Sequence, residues 1–111
     1  MLGMERIYIV VTVPGECVER VLNAIAEAGG GEIGEYTHCA FMNAGLGHFK
    51  PLANASPYYG NINNINRVDE WRIETFCDRT KAKGIVQAIR AAHPYEEPVI
   101  YIIPLLNEAD L

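Results

Sequence analysis

The 111-residue chain contains one serine, Ser56, and one tryptophan, Trp71. A lone serine in a turn-rich stretch, with no nucleophile elbow around it, excludes a serine-based catalytic triad. Cysteine is nearly as scarce: Cys17, Cys39 and Cys77 are odd in number, widely spaced and form no C-x-x-C pair. That is neither a disulfide framework nor a zinc knuckle, and a reducing cytoplasm is the compartment it suits. Positive charge is in deficit, with 9 Lys and Arg against 14 Asp and Glu and a net charge of −5. Phosphate backbones and acidic membrane surfaces are both bound through clustered cations, so neither nucleic acid nor membrane is an expected partner. No apolar run approaches the ~20 residues that span a bilayer. The opening Met1-Leu2-Gly3-Met4-Glu5-Arg6 has neither the basic region nor the small-residue cleavage site of a secretory leader, and Met4 is a second candidate start.

What remains is apolar enough to fold, at 50% hydrophobic and 21% charged, and long enough for one core. A single domain over 1–111 is expected. Residues 5–13 alternate, with Ile7, Ile9, Val11 and Val13 on one face of a strand that Pro14-Gly15 ends. Val18, Val21, Leu22 and Ile25 recur at helical spacing before the stop Gly29-Gly30-Gly31. A second strand is expected near 32–42, with Cys39 towards the helices and Tyr36 and His38 on the opposite face. The stretch 43–66 holds six Asn, three Gly and two Pro, and reads as a long connection. A strand at 68–77 and a helix from an N-cap at Thr80 to His93-Pro94 follow, then a last strand at about 98–105. This β-α-β-(connection)-β-α-β order predicts an α+β, ferredoxin-like split βαβ sandwich, a four-stranded antiparallel sheet with two helices on one face. The other face, with Tyr8, Val10, Tyr36, His38, Glu70, Arg72, Glu74 and Phe76, is too apolar for water and too polar for a core. A second copy of the chain is the expected cover.

The three histidines sit at distinctive places: His38 in the second strand, His48 in Gly45-Leu46-Gly47-His48-Phe49-Lys50-Pro51, and His93 before Pro94-Tyr95-Glu96-Glu97-Pro98. Imidazoles and carboxylates suit a divalent metal ion such as zinc or copper, although no pair has the spacing of a metal motif. The bland alternatives are a histidine hydrogen-bonded within an interface at His38 and a helix cap at His93. Glu96 and Glu97 are adjacent, so an extended chain points them apart and they make no paired acid-base site. Gly45-Leu46-Gly47 is followed by no G-K-S/T and no helix, so it reads as a tight turn rather than a phosphate loop. Arg79, Lys81 and Lys83 read as a solvated helix end.

Three segments then carry a resemblance. Gly34-Glu35-Tyr36-Thr37-His38-Cys39-Ala40-Phe41 with Gly45-Leu46-Gly47-His48-Phe49-Lys50-Pro51-Leu52, then Arg72-Ile73-Glu74-Thr75, then Ala92-His93-Pro94-Tyr95-Glu96-Glu97-Pro98 together resemble the YqfO-type insert domain of the Nif-three-like, dinuclear-metal-centre family. The resemblance runs from the first strand to Pro104-Leu105, here as a free-standing protein. It implies a fold similar to CutA and the PII signalling proteins, whose subunits associate through their sheets as trimers. In larger members the dimetal site belongs to another domain, so its ligands and hydrolase or cyclohydrolase activities do not transfer. The insert motif does: His38, Gly45, Gly47, Phe49, Pro51, His93, Tyr95, Glu96 and Glu97. The chain departs from the family's habit at Asn61–Asn66, where more charge and glycine are usual.

The expected function is a small homo-oligomeric binding or regulatory module, a dimer or trimer without catalysis of its own. It would sense a metal ion or small ligand at subunit clefts through His38, His48, Phe49, Tyr95, Glu96 and Glu97, or hold metal at His38, His48 and His93. One alternative is an adaptor that docks on a separate Nif-three-like metal-binding domain. Another is a metal-dependent hydrolase using the histidines with Glu74 or Glu96.

Overall fold

A computed structural model describes residues 5–111; Met1–Met4, including the second candidate start, lie outside them. The first strand, β1 (Arg6–Val13), is β-branched throughout its inner face, which suits a half-buried pleat. Its inner Ile7, Ile9, Val11 and Val13 are all buried. A tight turn at Gly15–Cys17 leads into α1 (Val18–Glu27), whose Val21 and Ile25 drop onto that face. Helix α1 stops in a Schellman arrangement. Gly29 takes φ +98°, and the Gly30 and Gly29 amides donate to the Ile25 and Ala26 carbonyls at 2.9 and 3.0 Å.

Then come β2 (Phe41–Phe49), β3 (Asn66–Asp78), α2 (Ala82–Ala92) and β4 (Ile100–Leu105). The sheet order is β2-β3-β1-β4, and every neighbouring pair is antiparallel. Ile73 and Cys77 of β3 join β1 and the buried Ile85 and Ile89 of α2 in one core, so both helices cover the same face. Burial pushes the Cys77 thiol above its usual range and keeps it protonated. Arg20 donates from Nε to the Ala92 carbonyl at 2.8 Å, a cation at the C-terminal end of α2 that ties the two helices together. No helix among the described residues is long and apolar enough to cross a membrane.

Four expectations need correction. The second strand is not at 32–42 but at 41–49, so the connection shrinks to residues 50–65. Residues 31–40 instead form a loop closed on itself. The Cys39 amide donates to the Gly31 carbonyl at 2.9 Å, and Thr75 Oγ1 donates to the Cys39 carbonyl at 2.8 Å. Gly31 has φ +72°, and a Cβ there would stand 2.5 Å from the Cys39 oxygen, so only glycine closes this loop. His38 consequently leaves the strand for an exposed loop position at φ +61°, its Nδ1 2.9 Å from the Thr37 hydroxyl. Tyr36 goes with it, and Phe41 takes a place on the open sheet face, opposite Glu74. Thr80 is no N-cap: it lies in a turn at Arg79–Lys81, and Lys81 precedes α2 without a side-chain cap.

The strands also end unevenly. The last pair between β1 and β3 is Val13 with Trp71, whereas β2 pairs with β3 as far as Phe49 with Asn66. The β2–β3 hairpin therefore runs on alone past the end of β1. That overhang is where the candidate site forms.

Candidate functional site

The connection 50–65 folds back from the overhang, and asparagine builds its turn. The Asn66 carboxamide accepts from the Asn61 amide at 3.1 Å and donates to the Asn61 and Asn64 carbonyls at 3.1 and 2.8 Å. Gly60, at φ +94°, is kept free of a side chain because a Cβ would lie 2.8 Å from that carboxamide. Asn63 adopts φ +63°, a left-handed conformation that asparagine tolerates. The folded loop is then tethered at two points. The Ser56 amide donates to Glu96 Oε1 at 2.8 Å, and the Tyr59 hydroxyl donates to the Glu16 carboxylate.

The opposite wall comes from the segment after α2. His93 ends that helix, its amide donating to the Ile89 carbonyl at 2.8 Å while its backbone turns extended before Pro94. The imidazole is buried and both its nitrogens are engaged. Nε2 lies 2.7 Å from the Thr12 carbonyl oxygen at the end of β1, and Nδ1 accepts the Tyr95 amide at 3.1 Å. A carbonyl can only accept and an amide N–H can only donate, so the ring is neutral with its proton on Nε2. Burial acts in the same direction and lowers the His93 pKa below its ordinary value. Tyr95 next donates its hydroxyl to Glu70 Oε2 at 2.7 Å. Burial first, and Glu70 second, push the Tyr95 phenol well above its usual range, so it remains a donor.

Glu70 reaches that hydroxyl because β2 carries glycine beside it. Gly45 is its register partner, and a Cβ on Gly47 would come within 2.2 Å of Glu70 Oε1. Gly45-Leu46-Gly47 is thus a strand segment with one bare face, not the expected tight turn. The spacing of two was the available signal, since alternate residues of a strand share a face.

Between these walls lies a cavity of about 440 Å³. Five of the six candidate ligand-binding residues line it: His48, Phe49, Tyr95, Glu96 and Glu97. Tyr58 and Tyr59 of the long connection line it too, and Thr12 and Glu70 join them as residues the sequence motifs do not include. Glu96 and Glu97 both reach it because their segment bends instead of running extended. The cavity forms within one chain, where a cleft between subunits was expected.

His38 is the exception, remote from this cavity in the loop before β2. The three histidines are therefore not gathered, and among the described residues no group of three His, Cys, Asp or Glu side chains stands together to hold an ion. His93 in addition has no free lone pair, because the Tyr95 amide occupies Nδ1 and Nε2 carries the proton.

A neutral, buried His93 has a consequence for stability. Its folded pKa lies below the unfolded value near 6.5, so unfolding takes up a proton as the pH falls through that value. Stability is full at neutral pH and declines below about pH 6.5, by at most ~1.4 kcal/mol per pH unit. Denaturant titrations at a series of pH values should show this decline in the wild type and a flatter profile in His93→Gln, which keeps a donor and an acceptor. Equal slopes would contradict the assignment.

No family model matches the chain. It is 43% identical over 95 residues to a GTP cyclohydrolase 1 type 2 homolog of Bacillus subtilis, covering 86% of this chain and 26% of that protein. A Mycobacterium tuberculosis protein of the same name is 42% identical over 97 residues, 87% of this chain and 26% of the relative. The chain spans about a quarter of the length of these curated relatives. Among solved structures, a Bacillus cereus protein related to NIF3 superposes with a TM-score of 0.85 at 36% identity, over 96% of this chain and 27% of that one. The CutA protein of Archaeoglobus fulgidus superposes at 0.66 with 18% identity, over 92% and 85%, and B. subtilis GlnK at 0.64 with 7%, over 95% and 85%. The last two likenesses show the fold alone. The chain is thus a homologue of the NIF3-related GTP cyclohydrolase 1 type 2 homologs, matching about a quarter of their length, with the ferredoxin-type fold of CutA and GlnK.

Proposed function

We propose that this chain is a self-associating, ligand-binding regulatory module that takes a small molecule into the cavity between the β2–β3 overhang and the turn after α2. One observation carries the reading: two motifs from distant parts of the sequence, G-x-G-H-F and H-P-Y-E-E-P, converge on that cavity. Its volume is within the range of small-molecule sites, and its walls combine aromatic and apolar surface with a few polar groups. The three unpaired thiols suit a cytoplasmic setting.

Self-association is supported by surface that a lone chain leaves uncovered. The accessible area is 7480 Å², against about 6,100 Å² for a compact monomer of this size. The difference exceeds the ~800 Å² that each partner contributes to a standard interface. The face away from the helices presents Phe41 at 66% exposure on one edge strand, β2, and Tyr101 at 61% on the other, β4, with Ile103 and Leu105 following Tyr101 along β4. The edge strand β2 has no charged residue along Phe41–Phe49 to discourage pairing with another strand. A second reading, an adaptor that docks on a separate metal-binding domain, is favoured by the match to only a quarter of longer proteins.

Two measurements test the proposal. Calorimetric titration with zinc, copper(II), nucleotides and small amines should find a saturable ligand at one per chain, weakened at least tenfold by Phe49→Ala in the cavity wall. Undiminished binding in that variant would place the site elsewhere, and no binding by any probe would leave the adaptor reading. Sedimentation velocity at micromolar concentration should show an assembly larger than a monomer, which Phe41→Glu with Tyr101→Glu dissociates. A monodisperse wild-type monomer would overturn self-association.

A further inference from the structure

The chemistry of the cavity selects among small molecules, and the selection rests on the reading that the cavity binds one. Tyr58, Tyr59 and Tyr95 meet as a cluster on its wall. Tyr58 and Tyr59 stand edge to face with ring centroids 4.6 Å apart, and Tyr58 lies tilted 6.2 Å from Tyr95. Two of the three hydroxyls already donate to carboxylates of the protein, Tyr59 to Glu16 and Tyr95 to Glu70. Tyr95 also packs tilted against the His93 ring at 4.9 Å, so this wall is mainly aromatic surface, and aromatic ring faces attract cations.

The charges agree. Glu70, Glu96 and Glu97 line the cavity, and its basic residue is the exposed Lys50. Among the described residues none of these carboxylates makes an ion pair. Glu70 and Glu96 are each satisfied by a neutral donor, the Tyr95 hydroxyl and the Ser56 amide. No hydrogen bond engages Glu97 among the described residues, and it is an exposed residue of the same cavity lining as the three tyrosines. An anion entering this space would meet uncompensated negative charge, and a neutral body would leave Glu97 unused.

We propose that the cavity is a site for a small alkylammonium ion, its cationic head against the faces of Tyr58, Tyr59 and Tyr95 and its charge balanced by Glu97. Cation–π attraction contributes most when the head is desolvated, which the apolar walls from Phe49, Pro51 and Val99 provide.

Three isosteric probes of the full chain decide this: choline, the neutral 3,3-dimethylbutan-1-ol and the anionic 3,3-dimethylbutanoate, titrated at low ionic strength by calorimetry. The expected result is saturable choline binding at least tenfold tighter than the alcohol, with no binding of the acid. Tyr58→Leu, which keeps an apolar side chain and loses the ring, and Glu97→Gln should each cut the preference for choline over the alcohol by about fivefold or more. Each variant should weaken choline more than it weakens the alcohol, and an equal loss for both probes would count against the ammonium site. Alcohol or acid bound as tightly as choline would overturn the ammonium site while sparing the ligand-binding module. If none of the probes bound, the ammonium site would be overturned, and the zinc, copper(II) and nucleotide titrations would then decide the module.

Discussion

The imidazole of His93 joins three parts of the chain that lie far apart in sequence: the end of β1 through the Thr12 carbonyl, the end of α2 through its own backbone, and the following turn through the Tyr95 amide. From Tyr95 the hydrogen bonds continue to Glu70, whose carboxylate lies over the bare face of β2 at Gly47. The rear wall of the cavity is thus fixed to the sheet by directed polar contacts. Each contributes about 1 kcal/mol net, but leaving one buried partner unmet costs about 1–3 kcal/mol, so the chain holds or fails as a unit. The front wall is built differently. Residues 50–65 are shaped by Asn66 and tethered to the rest through Ser56 with Glu96 and Tyr59 with Glu16.

The cavity and the uncovered sheet surface share a side. Thr12 and Glu70 line the cavity, while Val10 and Glu74 follow two and four residues away on the same faces of β1 and β3. A second copy laid on that surface would border the cavity. On the proposed reading, ligand site and assembly surface would adjoin, so that one could influence the other.

Much of this was legible in the sequence wherever periodicity governed. The alternation of Ile7, Ile9, Val11 and Val13, the helical spacing of Val21 and Ile25, and the triple glycine all describe buried faces or a helix stop, and each emerges in its expected place. The second strand was not legible, because Gly45 and Gly47 have low strand propensity and their reason for being there, the Glu70 carboxylate, is supplied by another strand. His38 was misplaced for the converse reason: its segment alternates like a strand, but Gly31 and Thr75 close it into a loop. The binding motif was read as a set of ligands, yet part of it is scaffold. His93 and Tyr95 spend their polar atoms on the protein, whereas His48, Phe49 and Glu97 line the cavity with no side-chain hydrogen bond among the described residues. Only tertiary contact distinguishes those roles.

The whole arrangement depends on a His93 ring that is neutral, protonated on Nε2 and held on both nitrogens. Long-range proton–nitrogen correlation spectroscopy of the ¹⁵N-histidine-labelled protein at neutral pH reads this directly. The expected spectrum has one ring with a protonated Nε2, an unprotonated Nδ1 and a slowly exchanging Nε2 proton, absent from the His93→Gln spectrum. An imidazolium, the opposite tautomer, or a rapidly averaging ring at His93 would contradict it.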